Sequence, residues 1–136
     1  MKLWHGYGTE HSMNLVMVGR FREATEAANA QDTIEKLIEA LRAEEAAGRL
    51  TVGEPSDRYS DEVLRILQDF NIHSIAPREL EQFLYDMSVR RDGDAVVITT
   101  DEYDVQALVK LLLLKGARID VYSAHDYPDT DYGRGK

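Results

Sequence analysis

The chain contains no cysteine, which excludes disulfides, thiolate nucleophiles and zinc–thiolate sites together. Its stability must come from a packed core. Basic side chains are in deficit, with 16 Lys and Arg against 25 Asp and Glu and a formal net charge of −9. That balance opposes attraction to phosphate backbones and to anionic lipid, so neither nucleic acid nor a membrane surface is an expected partner. Long hydrophobic runs are missing too. None exceeds four residues, and the candidate Leu111 to Leu114 falls far short of the roughly 20 apolar residues of a membrane span. The opening Met1-Lys2-Leu3-Trp4-His5-Gly6 lacks the apolar stretch of a secretory signal. By elimination, a cytoplasmic location is expected. No G-x-G-x-x-G, P-loop, H-E-x-x-H or G-x-S-x-G pattern occurs, so no nucleotide, metal or acyl-enzyme signature is present and no cofactor is called for.

What is there suits one folded unit. Apolar residues make up 43% of the 136 residues and charged residues 30%, enough for a core and a solvated shell. Residues 1–125 are expected to form a single α+β domain. Residues 126–136, with three Asp and no apolar periodicity, are expected to be a mobile acidic tail.

Two β-rich segments, Lys2 to Tyr7 and Asn14 to Phe21, flank the polar loop Gly8 to Ser12 and predict an opening β-hairpin. From Glu23 to Ala47 the period changes. Ala27, Ala30, Ile34, Leu37, Ile38 and Leu41 recur at three- and four-residue steps, predicting a long amphipathic helix ended by Gly48. Residues 50–57, with Gly53 and Pro55, read as a loop or a brief edge strand. Ser60 is placed to cap a second helix, with Val63, Leu64, Leu67 and Phe70 as its core face. Pro77 restarts a helix whose buried stripe is Leu80, Phe83, Leu84 and Met87.

Asp92-Gly93 marks a turn, and Ala95 to Thr99 is a β-branched run expected of a central strand covered on both faces. Asp101 is expected to cap a helix ending at Gly116, and Arg118 to Ser123 to close the fold as a strand in which Ile119 and Val121 alternate with Asp120 and Tyr122. These elements predict a two-layer α+β sandwich with a ferredoxin-like sheet, an opening β-hairpin and an inserted helical segment. A small doubly wound parallel α/β sheet is the alternative.

The densest reactive group is His5, Tyr7, Glu10 and His11 around that hairpin, and His125 beyond the last strand would join it if the first and last strands are neighbours. Imidazoles titrate near neutral pH and bind metals, so these residues are the candidate catalytic or ligand-binding set. No triad or ligand spacing supports a particular reaction, and a polar loop with aromatic packing accounts for them without a site. Thr99-Thr100-Asp101 at a strand-to-helix junction could present amides to an anion, but the capping aspartate would repel it. Asp126, Asp129 and Asp131 lack the glycine and terminal glutamate of an EF-hand loop. His73, between Ile72 and Ile75, reads as a semi-buried structural histidine. Glu26, Asp32, Glu35, Glu39, Glu44 and Glu45 make the long helix acidic, either as a docking face or as an ordinary solvated one.

Two functions follow: a small acidic protein-interaction or regulatory module that binds a protein partner or itself, or a small enzyme or ligand-binding domain built on the histidine hairpin.

Overall fold

The structure, a computed structural model, describes residues 14–54 and 58–124. Helix α1, Ala24–Ala46, is the long helix the periodicity predicts, and Ala27, Ala30, Ile34, Leu37 and Leu41 along one stripe have no exposed surface. Helix α2 is Asp61–Asp69, where the Ser60 hydroxyl accepts from the Val63 amide at 3.2 Å. Helix α3 is Gln106–Leu114.

All three helices end the same way. After α1, Gly48 (φ +78°) donates to Glu45 O and Arg49 donates to Glu44 O, each at 3.0 Å. After α3, Gly116 (φ +97°) and Ala117 repeat that pattern on Leu113 and Leu112. Asn71 (φ +54°) and Ile72 repeat it after α2 on Gln68 and Leu67. These paired bonds satisfy carbonyls that a helix end otherwise leaves open, and each needs a left-handed residue that glycine or asparagine adopts cheaply.

Among the described residues the sheet has four strands, β1 Leu15–Arg20, β2 Met87–Asp92, β3 Ala95–Thr100 and β4 Arg118–Ser123, in the order β2-β3-β1-β4. Every neighbouring pair is antiparallel. The parallel, doubly wound alternative is therefore not what forms. β3 and β4, joined through α3, run in the same direction but have β1 between them, which is why neither of them has a parallel neighbour.

Met87 is a second correction. It starts a strand rather than ending a helical stripe, because the helix begun at Pro77 is a 3₁₀ helix that stops at Leu84, and Tyr85 is already extended at ψ 154°. The fourth strand of the sheet is thus Met87–Asp92, while the expected partner from residues 2–7 lies outside the described residues.

The helical layer packs on one face of the sheet. Met17 on β1 and Val96 and Ile98 on β3 join α1, α3 and the 3₁₀ helix in one buried cluster that includes Phe83, Leu108, Leu111 and Leu112. Leu64 was expected in this core but is 39% exposed. It sits one position off the Val63–Leu67 line that faces inward. Asp101 likewise is not the cap of α3. Residues 101–105 form a bend first, and the cap arrives from the 3₁₀ helix: Gln82 Oε1 accepts from the Ala107 amide at 2.8 Å while Gln82 Nε2 donates to Gln106 Oε1 at 2.9 Å.

Candidate functional site

Side chains alternate across a strand, so the residues between the core-facing ones form the second face of the sheet. The register arranges them in rows across β2, β3, β1 and β4. The first row is Ser88, Thr99, Val16 and Tyr122; the second is Arg90, Val97, Val18 and Asp120; the third is Asp92, Ala95, Arg20 and Arg118. Val16 and Val97 keep only 8% and 6% of their surface, yet both lie outside the cluster formed with the helices. The centre of this face is thus apolar and nearly buried, and its charges lie in the second and third rows, at Arg90, Asp120, Asp92, Arg20 and Arg118. Among the described residues, Arg20, Arg90, Arg118, Asp92 and Asp120 make no ion pair. Arg20 and Arg118 stand directly opposite each other, a like-charged cross-strand pair that disfavours the isolated sheet.

At one end of the sheet lies a cleft of about 370 Å³ lined by Asn14, Asp86, Met87, Ser88, Thr99, Thr100 and Asp101. Its wall is tied together by Ser88 and Thr99, whose hydroxyls share a hydrogen bond, and by Thr100 Oγ1, which donates to Asp86 O at 3.0 Å and accepts from the Glu102 amide at 3.1 Å. The anion site weighed at Thr99-Thr100-Asp101 does not form on a helix end, since α3 begins five residues after Asp101 at Gln106. The Asn14 carbonyl accepts from the Ala124 amide at 2.8 Å, so the two ends of the described chain meet beside this cleft.

His5, Tyr7, Glu10, His11 and His125 all lie outside the described residues. His73 is exposed rather than semi-buried, at the rim of a cavity of about 300 Å³ with Ser74, Lys110, Leu113 and Leu114. The acidic face of α1 is thinner than expected. Glu44 is only 6% exposed and is gripped by Arg49, Nε to Oε2 at 2.6 Å and Nη2 to Oε1 at 3.0 Å, leaving it unavailable to a partner.

The electrostatics of the remaining groups have clear causes. The bonds from Arg49 hold Glu44 below its ordinary pKa of 4.5, against the effect of burial. Burial alone would raise Glu79, but hydrogen bonds from Lys110 at 2.7 Å and from the Ala76 amide at 2.9 Å outweigh it and leave that carboxyl low. Burial, then the charges of Glu81, Asp104 and Glu102, push the Tyr85 phenol up to about 12. Tyr85 is accordingly a neutral hydroxyl at any physiological pH and not a base.

Sequence reasoning missed Arg90 and Asp92. The available signal was Met87-Ser88-Val89-Arg90-Arg91-Asp92 running into Asp92-Gly93, since an Asp-Gly turn between alternating residues marks a hairpin. Among the described residues no group of three or more His, Asp or Glu could hold a metal ion, and no helix is long and apolar enough to cross a membrane. Residues 1–134 match DUF6375, a family of unknown function. No curated protein and no solved structure matches the chain.

Proposed function

We propose that this chain, which belongs to the DUF6375 family of unknown function, is a protein-interaction module whose working surface is the second face of its sheet. One observation carries the reading: beside Val16, Val18 and Val97, which lie outside the helix-side core, the exposed Arg90, Asp120, Asp92, Arg20 and Arg118 have no ion-pair partner among the described residues. An apolar centre with a charged rim is the usual anatomy of a binding surface. The net charge of −9 disfavours a polyanion as the occupant. The chain order strand, helix, strand, strand, helix, strand, with β1 between β3 and β4, supports a ferredoxin-like arrangement.

The absence of cysteine permits a clean test. Val18→Cys puts a thiol on the face, and Glu39→Cys puts a control on the exposed side of α1. With melting temperatures unchanged, alkylation of the first should slow as protein concentration rises or as native lysate is added, while the control stays constant. A rate at residue 18 that is the same under all conditions refutes the reading.

A second reading is a ligand site at the sheet-end cleft, completed by His5, Tyr7, Glu10, His11 and His125. What supports it is the bond between Ala124 and Asn14 at the cleft. His125 is the next residue after Ala124, and only Ser12 and Met13 separate His11 from Asn14, a reach of roughly 10 Å. Alanine at His5 and His11 should then abolish zinc binding with little change in melting temperature. Unchanged binding, or unfolding, counts against it.

A further inference from the structure

We infer that residues 3–7 of this chain lie as a strap across the second face of its sheet and close its apolar centre. Val16, Val97 and Ala95 keep only 8%, 6% and 3% of their surface, although all three lie outside the cluster in which α1, α2, α3 and the 3₁₀ helix bury the other face. An antiparallel sheet whose second face is wet alternates into polar residues there, and this centre is apolar instead. Its cover comes from outside the described residues.

Three stretches are left to supply it, residues 1–13, 55–57 and 125–136. Residues 55–57 are tethered on the helical side, where the Gly53 amide donates to the Glu81 carboxylate and the Tyr59 hydroxyl donates to the Ile75 carbonyl. Residues 125–136 bring Tyr127 and Tyr132 but also Asp126, Asp129 and Asp131, and a carboxylate is costly to bury against valine. Residues 1–13 bring Leu3, Trp4 and Tyr7 with a single carboxylate, Glu10.

Topology and reach select the same stretch. β1 is hydrogen-bonded to β3 on one side and to β4 on the other, so it has no free edge on which the β-forming run at residues 2–7 could close the expected hairpin. Those apolar side chains need another surface. Asn14 precedes the first row of the sheet, and residues 8–13, opened by Gly8, give enough chain to turn back over the face. From the first row, at Thr99, to the third, at Ala95, is four residues or about 13 Å, the length of residues 3–7 when extended. One pass covers the centre. Arg90 and Asp92 on β2, Arg20 on β1, and Arg118 and Asp120 on β4 stay exposed beside it. A partner of this face meets those charges around a centre that the chain itself has closed.

The test uses the full chain, which has no cysteine and one tryptophan. Val97→Cys places a thiol under the strap, and Val96→Cys places a control on the helical side of the same strand. The alkylation rate at residue 97 relative to that at residue 96 is measured with and without the pair Leu3→Ser and Trp4→Ser. That ratio should rise about tenfold when the strap loses its apolar side chains, and referring it to residue 96 removes any global loss of stability. An unchanged ratio overturns the strap. So does a rise produced instead by Tyr127→Ser and Tyr132→Ser, which makes the C-terminal residues the cover. A second measurement leaves the strap intact. A nitroxide on Arg90→Cys, one strand spacing or about 5 Å from Val97, should quench Trp4 emission in the folded chain, and one on Glu39→Cys should not. Emission that is equal with the two labels overturns the strap as well. Neither measurement contains a second protein, so failure here is distinct from failure of the interaction reading.

Discussion

Replacing Gln82 with leucine tests how this molecule holds its last helix. Gln82 is 7% exposed, and its carboxamide serves as the N-terminal cap of α3 from a different element. Leucine keeps the volume and removes both hydrogen bonds. Ala107, with no exposed surface, is left with an amide that has lost its acceptor. An unpaired buried donor costs about 1–3 kcal/mol and a lost cap about 0.5–2 kcal/mol, two descriptions of overlapping effects. The expected destabilisation is therefore about 2 kcal/mol. With an unfolding entropy near 2.1 cal/mol/K per residue over 136 residues, that lowers the melting temperature by roughly 7 °C.

Urea unfolding followed by far-UV circular dichroism should show a lower midpoint with an unchanged slope. Amide exchange should quicken first at the start of α3. Gln82→Glu keeps an acceptor for Ala107 and places a negative charge at a helix N-terminus, where it is favourable. It should lose less than half as much. If Gln82→Leu lies within about 0.5 kcal/mol of the wild type, or if glutamate is as harmful as leucine, the capping argument is wrong.

Two further outcomes follow from local physics. Gly116→Ala should destabilise by about 1–2 kcal/mol through backbone strain alone, because a Cβ there meets nothing within 4 Å while φ is +97°; calorimetry on the variant measures it. Glu79 has a depressed pKa, so its contribution is present above the ordinary value of 4.5 and is lost as pH falls through its folded value. Melting temperature against pH should drop below about 4.5 in the wild type, and Glu79→Gln should start lower and show a shallower fall.

Much of the fold was legible because its causes are local. The α1 stripe is a three-and-four spacing, and Gly48 and Gly116 end their helices because a left-handed residue is needed one position after the cap. Ser60 caps the helix that follows it. The errors share one cause, which is that partners distant in sequence decided the outcome. Asp101 looked like a cap from its neighbours, but the acceptor for α3 comes from Gln82, 25 residues away from Ala107. Met87 fitted a helical stripe until β3 supplied a strand to pair with. Glu44 looked like one more surface acid, and Arg49 folded back over the helix end to bury it.

For the sites the division is sharper. The histidines and tyrosine of the first twelve residues were conspicuous by composition, whereas Arg90, Asp92, Arg118 and Asp120 were unremarkable until the register set them in rows. The sequence by itself determined helices α1 and α2 and strands β1, β3 and β4, because dihedral preference and hydrophobic period act within a few residues. The tertiary structure alone decided that four separate strands share one face with an apolar centre and charges at its edges. Strand order and register are properties of contacts between segments, and no local preference encodes which residue will stand beside which.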